Sequence, residues 1–238
     1  MIDKAGQSDQ PLPDRPFKAL GKTRRISSKR NGLTDRKNWL GTLINCLFPA
    51  LPGKPLDFIV AMERLIAELT TSIQEFAQIK PDRILIGTTC SRGGRRRDMT
   101  WARIAAIRLG PDRSASRPPL HFEGQEYDYV ITFCLPRFFN LPFEMKLATI
   151  IHELYHISPA ADGTLRIMGR RKYAHGSRKR FENEVDMLLQ KALANSALQM
   201  YYEFLHYDYK ILLKRHGSIL IRPILLRQIR QTVKPEEG

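Results

Sequence analysis

Two histidines four residues apart, His152 and His156, are the residues whose type and spacing best suit a chemical role. On a helix this spacing places both imidazoles on one face. Two ring nitrogens can then meet one zinc ion at about 2.0–2.1 Å. Glu153 would lie beside such a metal without binding it, where a carboxylate can take a proton from an attacking water. The HExxH pattern therefore predicts a zinc-dependent hydrolase with Glu153 as its general base.

The residues around this motif predict a buried helix. Pro142 suits a first helical turn, Glu144 agrees there with the helix dipole, and Pro159 lies beyond the end. Between them, the stretch 147–154 is mostly apolar. An HExxH match arises by chance in about one chain in a hundred of this size. The alternative is a chance match between two ordinary histidines on a helix. A chance match would need neither the helical setting nor a third ligand.

A catalytic zinc ion takes three protein ligands and leaves one position for water. His175 is the leading candidate for the third ligand, because the 19 positions after His156 allow the chain to fold back over the metal. Glu184 is the second candidate, since a helix-borne glutamate downstream of HExxH is the third ligand of gluzincins. Asp162 is a weaker one because it follows the motif too closely. From the residues alone, the choice between His175 and Glu184 stays open.

The elements around the motif predict an α+β fold. Apolar residues recur every three or four positions from 56 to 76, which predicts a helix that Pro81 ends. Runs of β-branched and aromatic residues predict strands at 83–89, 100–107 and 127–134. Further helices are predicted to open near Ser177 and to cover 199–215.

The chain is strongly basic, with a formal net charge of +15 at pH 7. Arginines crowd the segment 92–97, and basic residues recur from 166 to 180. Both segments flank the predicted site, so they favour DNA or another polyanion as a partner. The alternative is a solvated basic surface. Protein or peptide is the expected substrate.

Composition also predicts the domain organisation. Residues 1–54 are expected to form a basic, flexible N-terminal tail, residues 55–216 the metallopeptidase domain, and residues 217–238 a basic C-terminal tail. No apolar run approaches the roughly 20 residues of a membrane span, and the N-terminus lacks a secretory pattern. The three cysteines form no CxxC pair. Together these features predict a cytoplasmic protein without a membrane partner.

Three features together resemble a known class of proteins: HELYH at 152–156, His175 after a loop, and Phe181 early in the next helix. This arrangement is similar to SprT-like and Spartan-like zincins, which carry a third histidine and a following aromatic residue in those places. The longer stretch HELYHISP at 152–159, followed by Asp162, looks closer still to the putative phage metallopeptidases.

The resemblance covers about residues 80 to 195. It implies a small zincin-like α+β fold, in which a short sheet packs beside the active-site helix. It also implies His152, His156 and His175 as zinc ligands, and Glu153 as the base. The expected function is hydrolysis of peptide bonds, with nucleic-acid-associated proteins as a substrate class suggested by the charge. The alternative is a nucleic-acid-binding protein whose zinc site is structural or inactive. A zinc hydrolase acting on a non-peptide substrate would also fit the motif.

Overall fold

A computed structural model describes residues 53–90, 101–108, 119–166 and 178–224 of the chain. These parts combine seven short strands with five α-helices, which confirms the predicted α+β class. The strands are β1 Leu56–Asp57, β2 Ile84–Cys90, β3 Ala102–Ala106, β4 Leu120–Phe122, β5 Gln125–Tyr127, β6 Tyr129–Leu135 and β7 Ile219–Leu220. The helices are α1 Phe58–Ser72, α2 Phe143–Tyr155, α3 Arg178–Ala194, α4 Gln199–Tyr202 and α5 Tyr209–His216.

The principal sheet has the order β2-β6-β3. Strand β6 runs parallel to β2 and antiparallel to β3, so that Ile131 lies between Ile86 and Ile104. All residues of β6 except Cys134 are buried. A central strand covered on both faces requires such a continuous apolar run. This explains why the segment was readily predicted as a strand.

Helix α1 packs one face against this sheet and builds the main core. Its start is fixed by Asp57, whose side chain accepts a hydrogen bond from the backbone N–H of Val60 at 3.0 Å. The Phe58 ring then meets Phe133 of β6 at 5.7 Å and Phe139 at 5.1 Å between ring centroids. These edge-to-face contacts join the helix to the centre of the sheet.

Helix α2 carries the HExxH motif at its C-terminal end. Pro142 stands immediately before the helix, and His156 is the residue after its last turn. The face formed by Leu147, Ile150, Ile151 and Leu154 is fully buried. The helix lies beside β3, which places the edge of the sheet next to the motif.

One local prediction needs correction, and one element was not predicted. The single helix predicted for 199–215 is wrong, because α4 passes into a 3-10 turn, Glu203–His206, and α5 begins after Asp208. The hairpin of β4 and β5 was not predicted. Its turn places Glu123 at φ 50° and Gly124 at φ 82°, a left-handed pair suited to a tight connection.

The chain after residue 217 enters the fold before it leaves the described region. Strand β7 pairs with β1 in parallel. Further on, the N–H of Ile224 donates to Thr88 O at 3.0 Å, and the N–H of Thr88 donates to Arg222 O at 2.8 Å. Residues 222–224 therefore cover the outer edge of β2 at Thr88, while 225–238, like 1–52, lie outside the described residues. The domain limits stay a prediction.

Candidate metal centre

The two motif histidines converge in space. Their Nε2 atoms lie 3.0 Å apart and the ring centroids 4.7 Å apart, with the ring planes at 78°. Two nitrogens bound to one tetrahedral zinc ion would lie about 3.3 Å apart, given bonds of about 2.0–2.1 Å. His156 is buried and His152 half-buried. The separation of the two Nε2 atoms is therefore close to the one that two ligands of a single zinc ion require.

Glu153 is held by the edge of the sheet. Its Oε2 accepts a hydrogen bond from the backbone N–H of Ile104 in β3 at 2.8 Å. Burial raises the pKa of this carboxyl to about 7, while the Ile104 hydrogen bond and the charge of Arg103 act in the opposite direction. A carboxyl with a pKa near neutrality can both accept and return a proton.

Phe181 forms an apolar wall beside the two histidines. It comes from the first turns of α3 and is fully buried. Its ring centroid lies 4.7 Å from that of His152 and 4.9 Å from that of His156. It also meets the Tyr155 ring edge-to-face at 5.1 Å. One side chain of α3 thus supports both imidazoles of α2.

Arg166 closes the C-terminal end of α2. Its backbone N–H donates to His156 O at 2.6 Å, and its Nε donates to Tyr155 O at 2.8 Å. The guanidinium carbon also lies 4.1 Å from the centre of the Tyr155 ring. The last carbonyls of a helix lack partners within it. Arg166 supplies two of those partners and so stabilises the backbone that carries His156.

The third ligand is not settled by this geometry. His175 lies outside the described residues. Glu184 is half-buried on α3, and Asp162 is exposed, with its carboxylate accepting hydrogen bonds from the N–H and hydroxyl of Thr164. Within the described residues, no group of three His, Cys, Asp or Glu side chains could hold a metal, so neither carboxylate joins the histidine pair.

The other described histidines lie in different surroundings. His121 is 3.6 Å from Glu126 on the β4–β5 hairpin, and the His206 ring stacks on Phe143 at 3.8 Å. His216 is buried, with its Nδ1 2.9 Å from Lys54 O. The basic segment 92–97 lies outside the described residues. No described helix has the length and apolar character needed to cross a membrane.

Sequence reasoning singled out the two histidines, Glu153 and Phe181, but it did not predict the contacts that hold them. The Ile104 N–H binds Glu153, and Arg166 binds the carbonyls of Tyr155 and His156. Neither group belongs to a recognisable spacing pattern. A backbone N–H at a sheet edge carries no side-chain signature. Arg166 stood among several basic residues that looked alike in sequence.

An α+β domain with an HExxH motif on a helix beside a small sheet has the arrangement expected of metal-dependent hydrolases. Residues 60–182 match the family model described as "Putative phage metallopeptidase", which spans more than half of the chain. The chain belongs to this family. Searches of curated proteins and of solved structures gave no match.

Proposed function

We propose that this protein is a zinc-dependent metallopeptidase in which His152 and His156 bind the metal and Glu153 is the general base. The observation that carries the proposal is the convergence of the two Nε2 atoms to 3.0 Å. Membership of the phage metallopeptidase family supports a metal-dependent peptidase. His175 is the proposed third ligand, on the strength of the resemblance to SprT-like zincins. The contact of Phe181 with both histidines supports that resemblance.

The chain's own residues divide the work of hydrolysis. Zinc bound by His152 and His156 would supply Lewis-acid chemistry that polarises a peptide carbonyl and makes water more acidic. Glu153 accepts the proton of the attacking water and returns it to the leaving amine. The Ile104 N–H fixes the orientation of that carboxylate. The buried ring of Phe181 covers one side of the two imidazoles and keeps solvent away from them there.

The proposal is tested by Glu153→Gln. The amide oxygen can still accept the Ile104 hydrogen bond, so the fold and zinc content should persist. Activity on a casein-type substrate should fall about 10²–10⁴-fold, the usual contribution of a positioned base. Glu144→Gln, an exposed change on the same helix, is the matched control. Full activity of the Glu153→Gln protein would rule out its role as the base.

A second experiment assigns the third ligand. We expect His175→Ala to lose zinc, measured by elemental analysis after dialysis, while Glu184→Ala retains it. The opposite result would replace His175 by Glu184. Retention of zinc by both variants would point to another ligand.

We also propose that the enzyme acts in the cytoplasm on proteins associated with nucleic acid. The support is the net charge of +15, with 39 Lys and Arg against 24 Asp and Glu. The competing function is a nucleic-acid-binding protein with a structural or inactive zinc site. A structural site normally closes with a fourth protein ligand. Proteolysis that needs both zinc and Glu153 would exclude that competitor.

A further inference from the structure

A buried tyrosine of the central strand reaches the turn that follows the HExxH helix. Tyr129 begins β6 and is 2% exposed. Its hydroxyl accepts a hydrogen bond from the backbone N–H of Gly163 at 2.8 Å. The same hydroxyl donates to the backbone carbonyl of Thr164 at 3.2 Å. Two consecutive residues of the turn are thus tied to the sheet by one side chain.

The same turn, residues 158–165, is also hydrogen-bonded to the end of α2. Ile157 and Leu165 form an antiparallel bridge. The N–H of Ser158 donates to Thr164 O at 3.1 Å, so this carbonyl accepts from both sides. One residue beyond the bridge, the N–H of Arg166 donates to His156 O at 2.6 Å. Two hydrogen bonds, joined by the backbone of residues 164–166, therefore link the Tyr129 hydroxyl to the carbonyl of His156.

Gly163 lies where the turn packs closely against the side chain of Arg108. It is buried at φ +84°, a conformation that favours glycine. The side chain of Arg108 occupies the space where a Cβ would project. Arg108 lies 3.8 Å from Asp128, the residue next to Tyr129. The turn is therefore held both by the tyrosine hydroxyl and by contact with Arg108.

We propose that Tyr129 is a positioning residue of the metal centre: by anchoring the 158–165 turn, its hydroxyl holds His156 in the orientation that binds zinc. This inference rests on the proposed function. Its physical basis is that a ligand histidine binds well only when the backbone and partners around it fix the direction of its ring. Burial raises the pKa of Tyr129 to about 12, so the hydroxyl keeps the proton it donates to Thr164 O at neutral pH.

The test compares Tyr129→Phe with Tyr127→Phe. Tyr127 is also buried, but it lies in the smaller core cluster with Leu85 and Val130. The Tyr127→Phe substitution therefore removes a buried hydroxyl that does not contact the turn. Zinc affinity of the metal-free proteins is measured by competition with a chromophoric chelator. We expect Tyr129→Phe to weaken zinc binding, by at most the about 10–100-fold that loss of a direct outer hydrogen bond to a metal ligand costs, because Tyr129 acts on His156 only through the turn. Tyr127→Phe should bind zinc as the parent does. Equal affinity of the two folded variants would overturn the proposal.

A second variant decides the matter if Tyr129→Phe does not fold. Asp162→Ala loosens the same turn from its exposed side, because Asp162 accepts the N–H of Thr164 at 3.1 Å and its hydroxyl at 2.6 Å. Weaker zinc binding by this variant supports the proposal, and unchanged binding contradicts it. Failure of the proposed function has a different outcome: the parent protein itself would bind no zinc, or would bind it equally well after His152→Ala.

Discussion

Phe181 and the two histidines come from different helices, yet they meet at ring distances of 4.7 and 4.9 Å. The HExxH spacing determines only that His152 and His156 share a face of α2. It does not determine what lies against that face. The packing of α3 on α2 supplies an aromatic ring there. The site is therefore partly organised by apolar contacts.

Replacing Phe181 by leucine should separate packing from metal binding. The smaller side chain loses the ring contacts but keeps apolar volume, so the free energy of unfolding should fall by about 1–2 kcal/mol. Zinc affinity should also fall, because the imidazoles lose their support. Phe76→Leu is the control, since Phe76 is equally buried in the main core. It should cost similar stability in urea denaturation and leave zinc affinity unchanged; a matching loss of affinity there would refute the specific role.

Lys146 is a charged residue buried on the same helix. It is 1% exposed, and its Nζ donates to Leu205 O at 2.8 Å and to Tyr207 O at 2.7 Å. Burial lowers its pKa to about 8, against the attraction of Asp208. The neutral amine still has two protons for the two carbonyls. Loss of charge at alkaline pH therefore removes a desolvation cost while both hydrogen bonds can persist.

This makes the stability of the protein dependent on pH in a defined window. Between pH 8 and the unfolded pKa of 10.5, the unfolded chain binds more protons at Lys146 than the folded chain. The free energy of unfolding of the parent should therefore rise with pH there, relative to Lys146→Met, by up to about 3 kcal/mol. Denaturation at pH 7 and pH 10.5 measures the difference. Lys210→Met, an exposed lysine on α5, should show no such trend; a flat difference for Lys146→Met would contradict the buried-charge argument.

At the scale of elements, the sequence predicted best what depends on one segment alone. Strand β6 was recognisable because its burial on both faces demands an apolar run. The β4–β5 hairpin was missed because its strands have three residues each and little alternation. The break after residue 206 was missed because it depends on distant contacts. The Nζ of Lys146 binds the carbonyls of Leu205 and Tyr207, and no helical periodicity reveals that.

The start of α5 nevertheless carries a local signal, and it can be tested. Asp208 precedes the helix, and its Oδ1 accepts the N–H of Ile211 at 2.8 Å. Asp208→Ala should lower the free energy of unfolding by about 1 kcal/mol through loss of this cap. Asp208→Asn keeps the hydrogen-bond acceptor, so it should lower the free energy of unfolding by only about 0.3 kcal/mol. Urea denaturation measures both variants. If asparagine were as damaging as alanine, the charge of Asp208 towards Lys146 would be the important property.

At the scale of the whole molecule, the sequence predicts only the proposed ligand pair and the proposed base. His152, Glu153 and His156 follow from spacing along one helix. The Ile104 N–H lies 49 residues before Glu153, and the Tyr129 hydroxyl lies 27 residues before His156. Such partners are set by how β3 lies beside α2 and how the start of β6 meets the turn after α2. Tertiary contacts of this kind leave no regular spacing in the sequence.

The charge of the chain leads to the last prediction, which concerns the proposed association with nucleic acid. If the basic segment 92–97 contacts phosphates, binding of duplex DNA should weaken steeply with salt, because each neutralised phosphate releases counterions. Replacing Arg95, Arg96 and Arg97 by glutamine should then reduce the slope of log K against log salt by about 1–3. Fluorescence anisotropy with a labelled duplex measures this slope.

The control for this prediction must change the net charge equally at another place. Glutamine at Lys80, Lys210 and Lys214, all exposed, removes the same three charges from described surfaces. If only the total charge of +15 attracted DNA, the two triple variants would lose affinity alike. A larger loss for the arginine variant would instead place DNA at the segment between β2 and β3. No binding of the parent at low salt would refute the nucleic-acid association and leave the metallopeptidase proposal intact.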